Sequence, residues 1–124
     1  MRLLLDTHAA LWWLGGDERF GAIAAAHLTD ASSDVLLSAA VVWEVAIKRS
    51  LGKLEAPGDF AATLVGAGAR PLSVSIHHAA AVEQLPWHHR DPFDRLLLAQ
   101  AVVERAAIVS GDTALAPYGV PIVW

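Results

Sequence analysis

Short unbroken apolar runs alternate along this chain with longer stretches in which apolar residues recur every three or four positions. The first run, Leu3-Leu4-Leu5, ends at Asp6. A run this short with no polar alternation reads as a strand buried on both faces. Asp34–Ser38, Pro71–Val74, Ala107–Ser110 and Val120–Val123 read the same way. Thr7–Leu14 predicts a helix stopped at Gly15-Gly16. Asp17 is expected to cap a second helix to about Thr29, with Phe20, Ile23, Ala24 and Leu28 on its inner side. Ala39–Leu51 predicts a helix closed by Gly52. Pro57-Gly58-Asp59 opens another that fades at Gly66-Ala67-Gly68, and Ser75 caps one ending near Gln84. Pro92 sits in the first turn of a long helix to Arg105. Strands alternating with helices predict an α/β fold, a parallel sheet with helices on both faces. No repeat or linker interrupts the pattern, so residues 1–124 are expected to form one domain.

The same alternation places particular acids. Open parallel sheets bind ligands at the C-terminal edge of their strands. Asp6 follows the first strand directly, and Asp112 follows Ala107–Ser110 after one glycine. Glu44 and Asp94 stand near the start of helical segments. Four carboxylates far apart in sequence can therefore meet in one crevice. Oxygen ligands gathered this way suit Mg²⁺ or Mn²⁺ and point to phosphodiester cleavage. Each acid also has a plainer reading. Asp6 and Asp91 are good helix caps, and Asp112 suits a short turn. Glu44 can pair with Lys48 across one helical turn. Yet Glu44 is the one acid in an oily helix, between Val41-Val42-Trp43 and Val45-Ala46-Ile47. Asp94 can pair with Arg95, but it leads into the apolar run Leu96-Leu97-Leu98-Ala99. Their joint placement favours a shared site.

Composition changes this picture little. Apolar residues make up 55 % and charged residues 18 %, so the chain is globular. A net charge of −4 argues against coating nucleic acid by bulk positive charge. It leaves room for a nuclease, because a divalent cation reverses the sign of an acidic pocket. With no cysteine, disulfides, thiolate metal sites and cysteine nucleophiles are excluded, and a reducing cytoplasm is the expected location. Asp6 and His8 break the opening apolar run, so no signal peptide is expected. No stretch is long enough to predict a membrane span, since the oiliest stops at Glu44.

Four segments carry a resemblance. Leu4-Leu5-Asp6-Thr7-His8, Ser38-Ala39 through Trp43-Glu44, His89-Arg90-Asp91-Pro92-Phe93-Asp94-Arg95, and Val109-Ser110-Gly111-Asp112 resemble the PIN-domain ribonucleases. More narrowly, they resemble the VapC toxins of bacterial VapBC toxin–antitoxin pairs. The resemblance spans the whole chain and implies a five-stranded parallel sheet between helices. It implies that Asp6, Glu44, Asp94 and Asp112 surround one or two Mg²⁺ or Mn²⁺ ions, that the Thr7 hydroxyl supports them, and that RNA is the substrate. It leaves the third ligand open between Asp94, which matches the family's metal position better, and Asp91, which could help through water. It also implies a homodimer and a VapB-like antitoxin whose C-terminal segment covers the active groove.

Other side chains fall around this reading. Arg90, Arg95, Lys48, Arg49 and Lys53 neighbour the motifs and are candidates for the RNA backbone. Successive residues on a helix diverge by about 100°, so His77-His78 and His88-His89 make poor chelates and are expected on the surface or in a groove. His8 is a minor candidate beside the metal. Trp12 and Trp13 are adjacent in one short helix, so both are expected at the rim of the core, with at least one at a partner interface. His89-Arg90-Asp91 spells a kinase tripeptide without the Gly-rich loop or the strand lysine that chemistry needs. A receiver-like signalling domain is the main competing class. It needs paired acids after the first strand and a late lysine, whereas Asp6 is single and the last lysine is Lys53. A catalytically silent PIN-type binding module is the other, separated by metal-dependent cleavage.

Overall fold

The computed structural model describes residues 1–124. Five strands, β1 (Arg2–Leu5), β2 (Asp34–Ser38), β3 (Arg70–Leu72), β4 (Ala107–Val109) and β5 (Ile122–Val123), form one sheet in the order β3-β2-β1-β4-β5. Every pairing is parallel. Six α-helices fill the connections: α1 (Thr7–Gly15), α2 (Ala22–Thr29), α3 (Ala39–Ser50), α4 (Phe60–Gly66), α5 (Ile76–Ala81) and α6 (Pro92–Glu104). Short 3₁₀ turns follow α5 (Val82–Gln84) and β4 (Thr113–Tyr118).

β1 is the central strand because it is the oiliest. Leu3, Leu4 and Leu5 are all 0 % exposed, although successive side chains point to opposite faces. Both faces of the sheet are therefore covered, as the unbroken apolar run predicted. The strand order matters for function. A receiver-type sheet runs 2-1-3-4-5, and this one runs 3-2-1-4-5, with its reversal between β1 and β4. The crevice outside the C-terminal ends of β1 and β4 is thus the expected binding position. Asp6 and Asp112 leave the sheet there.

Local signals set most helix ends. Gly16 (φ 62°) closes α1, Gly52 (φ 69°) lies just past α3, and Asp91 caps α6 with Pro92 in its first turn. Ser75 caps α5 in a reciprocal box with His78. That box corrects the surface or groove placement of His78, which is 3 % exposed. Its Nε2 lies 2.9 Å from Glu104 and its Nδ1 accepts from Ser75 N–H at 3.0 Å. The second helix is shorter than expected. Asp17 does not cap it: the carboxylate is taken by Arg19, and α2 starts only at Ala22. Gly21 is pressed so close to Trp124 that an added Cβ would lie 2.3 Å from its carbonyl carbon, and the chain bends there. Ile23 faces solvent at 64 % exposure, so only Ala24 and Leu28 of the helical residues face inward.

Candidate functional site

Asp6 is held twice over. Its amide donates to the Val109 carbonyl of β4 (3.1 Å), and its Oδ1 accepts from Ala9 N–H (2.7 Å) as the N-cap of α1. Cap and cleft residue are one and the same side chain. It is 7 % exposed, and burial pushes its carboxyl above the ordinary 3.8. The Ser110 hydroxyl, the Ala9 amide and His8 oppose that push, while Asp94 adds to it.

Asp94 stands in the first turn of α6. Burial raises its pKa as well; the His89 hydrogen bond opposes this, and Asp91 and Asp112 add to it. His89 Nε2 lies 2.7 Å from Asp94 Oδ2 and is the donor when the carboxylate is ionised. Asp112 is exposed, with its amide donating to Ser110 Oγ (3.0 Å) and its Oδ1 accepting from Ala114 N–H (2.9 Å). One ligand atom each from His89, Asp94 and Asp112 lie within 4.8 Å of one another.

Glu44 occupies the buried stripe of α3 beside Ala40, Val41 and Val45. An acid on that stripe needs partners. Thr7 Oγ1 donates to its Oε1 and Lys48 Nζ to its Oε2, both at 2.6 Å. The Glu44 hydrogen bond raises the Lys48 pKa, with Asp91 and Asp94 adding to it. Asp6, Asp94 and Asp112 feel one another's charge, whereas Glu44 is held apart by Thr7 and Lys48. Glu44 and Asp6 lie outside the tight His89–Asp94–Asp112 group.

One RNA-contact candidate is lost, and a second is anchored at the rim. Arg95 is 3 % exposed, and its guanidinium donates to the carbonyls of Pro86, His89, Val82 and Leu85 and to the Tyr118 hydroxyl. Trp87 covers it at 3.9 Å. With its donors committed inside the fold, Arg95 cannot reach a phosphate. Lys48 is tied to Glu44, whereas Arg90 is exposed. Asp91 accepts from Phe93 and Asp94 N–H, as a cap does. Trp12 and Trp13 are both half-buried, at the rim of the core. His89 is the site residue that sequence reasoning passed over, because its reach to Asp94 follows no helical spacing.

The donor set fits a hard divalent cation. Carboxylate oxygens and one imidazole converge where buried Asp6 and half-buried Asp94 have no lysine or arginine of their own, and Mg²⁺ or Mn²⁺ suits such ligands. The profile of the PIN domain matches residues 3–120. The chain belongs to the PIN domain family. This PIN domain also superposes on solved structures. VapBC2 from Rickettsia felis, bound to a DNA fragment from its promoter, matches at 13 % identity and TM-score 0.73, over 98 % of this chain and 97 % of that one. A toxin–antitoxin complex from Klebsiella pneumoniae matches at 17 % and 0.65, over 98 % and 96 %. FitAcB from Neisseria gonorrhoeae matches at 21 % and 0.63, over 97 % and 95 %. At these identities the likeness is one of fold. A comparison with curated protein sequences found no match.

Proposed function

We propose that this PIN domain is a metal-dependent endoribonuclease and the toxin of a VapBC-like toxin–antitoxin pair, acting in the cytoplasm. The observation that carries the reading is the His89–Asp94–Asp112 group beside buried Asp6 at the switch point of the sheet. Asp6, Asp94, Asp112 and His89 would hold the ion. Mg²⁺ or Mn²⁺ there would neutralise the acids, polarise the scissile phosphate and make a water molecule acidic enough to attack. His89 orients Asp94 by its hydrogen bond, and Ala9 N–H orients Asp6. Glu44, with both oxygens engaged, fixes Lys48 at the rim, where Lys48 and Arg90 meet RNA phosphates. Thr7 keeps Glu44 in place.

Among the solved relatives by fold are a toxin–antitoxin complex and a VapBC bound to promoter DNA, which supports a proteinaceous VapB-like partner for this chain. Such a partner would place an amphipathic segment beside Trp12 and an Arg or Lys among the acids. Exposed Trp43 and Ile76, at 58 % and 87 %, supply apolar surface for a homodimer. No helix is long and apolar enough to cross a membrane.

The test is cleavage of RNA by the purified protein with Mn²⁺ or Mg²⁺, alongside Asp6→Asn and Asp94→Asn. Both variants should fold and lose cleavage by at least about a hundredfold, as loss of a charged group that stabilises the transition state does. Undiminished cutting by both, or by wild type in excess EDTA, would overturn the metal site. Expression alone should arrest growth, and co-expression of the adjacent antitoxin frame should relieve the arrest. Harmless high-level expression of an active enzyme would remove the toxin role and leave the nuclease.

A further inference from the structure

Asp6, His8, Trp12, Asp112 and Trp124 wall a cleft of about 460 Å³, and Arg19 is the single lysine or arginine on that wall. Arg19 and Trp12, with His8, also line a second cleft of about 400 Å³, beside Leu11, Leu14, Leu54, Pro57 and Glu55. Arg19 and Trp12 thus stand between a cleft holding two acids and a largely apolar one.

The guanidinium is fixed in place. Its carbon lies 4.5 Å from the centroid of the Trp12 ring. Nε and Nη2 donate to the two oxygens of Asp17 at 3.0 and 2.7 Å. That pairing holds the Asp17 carboxyl down at about 2, so the clamp stays ionised in any ordinary buffer. The turn carrying both residues is tied back to α1 by Asp17 N–H donating to the Trp12 carbonyl at 2.9 Å. One face of the guanidinium is therefore backed by indole and one edge by carboxylate. The outer face and Nη1 remain, on a side chain 66 % exposed. Unpaired bases stack on arginine planes, and the fork's remaining donor suits a phosphate oxygen.

We propose that Arg19, backed by Trp12 and clamped by Asp17, is a stacking plate for an unpaired nucleobase of single-stranded RNA beside the phosphate that is cut. The proposal rests on the nuclease reading and adds to it one residue that reads the substrate. RNA held in a duplex keeps its bases stacked inside and has nothing to offer the plate. The plate thus selects loops and ends, and its planar area sets a preference among bases at one position.

Arg19→Lys keeps the charge and removes the plane. The exposed position makes its thermal midpoint equal to that of wild type. The two proteins are compared on a short single-stranded RNA and on copies carrying one abasic nucleotide walked through the sequence. At one position near the cut, the abasic copy should raise the KM of wild type roughly tenfold, as loss of a stacked base does. Arg19→Lys should raise KM to a similar extent on intact RNA and be blind to the abasic change, with kcat preserved in both. Equal responses of the two proteins at every position, or an unchanged KM for Arg19→Lys, would overturn the plate. If Arg19→Lys left KM unchanged but loosened a co-expressed antitoxin, the cleft would belong to the protein partner. Failure of the nuclease reading looks different: wild type would leave the RNA intact in Mn²⁺. Fluorescence anisotropy of the same labelled RNAs then decides, and equal Kd values for intact and abasic copies overturn the proposal.

Discussion

Asp6 is a buried carboxylate and Asp94 a half-buried one, with no lysine or arginine on either. Ionising them inside the fold costs free energy until a cation arrives. The sign follows from the raised pKa of Asp6. Below its ordinary 3.8 the group is protonated folded and unfolded, and the cost is absent. Above its folded-state pKa the cost is complete. Metal-free stability should therefore fall as pH rises through that window, and Asp6→Asn should flatten the fall while abolishing cleavage. Thermal unfolding in EDTA across the carboxylate range checks this; an Asn variant less stable than wild type at neutral pH would contradict it. Asp6 and Glu44 were readable from sequence because each interrupts an apolar pattern at a defined point. His89 was not, since its ring reaches Asp94 from outside the helix. Arg95 was misread for a similar reason: charge suggested surface, and only the folded loop supplies the carbonyls that bury it.

At the scale of elements, α6 and the loop before it form one unit. Arg95 gathers the carbonyls of Val82, Leu85, Pro86 and His89, so the chain from the 3₁₀ turn to the α6 cap is pinned by one side chain. Arg95→Ala leaves the Leu85 and Pro86 carbonyls without this donor and should cost about 3 kcal/mol in denaturant unfolding. It should also weaken Mn²⁺ binding, because His89 keeps only the Tyr118 hydroxyl of its two anchors. The β4–Asp112 turn is fixed differently. A Cβ on Gly111 would lie 2.8 Å from the Trp124 ring, so Gly111→Ala must displace the indole or the turn. Such overpacking costs about 1–3 kcal/mol and moves Asp112, so cleavage should drop more than stability alone explains. Comparing kcat at a temperature where both proteins are fully folded makes the distinction. Helix ends marked by Gly, Ser and Pro were legible in the sequence. The start of α2 was not, because the contact that bends the chain at Gly21 comes from Trp124, at the far end of the sequence.

For the whole molecule, alternation of runs and periodic stretches was enough to read a parallel α/β sheet. The order of its strands was not legible, since pairing between distant runs leaves no local mark. Charge bears on how the whole molecule meets RNA. On the proposed reading, the cations set beside the acids, Lys48, Arg90 and Arg19, would contact the phosphate backbone of a chain whose net charge is −4. Three contacts to a single strand give a slope of about −2 for log affinity against log salt. A much steeper slope, measured by anisotropy over a salt series, would mean a basic surface that this fold does not present.

The central place of β1 has a consequence in time. Leu3 to Leu5 pair with Ala107 to Val109, about a hundred residues later in synthesis. Non-local parallel pairing is slow to form, because closing so long a loop precedes any gain from it. A growing chain therefore displays Asp6, Glu44 and Asp94 well before the crevice between β1 and β4 exists. For an enzyme that cuts RNA, this delay falls while the chain is still threaded through a ribosome and attached to its own message. On the proposed reading the acids would stay harmless there, and the interval between release and closure of the sheet would be the moment at which an inhibitor made alongside takes hold.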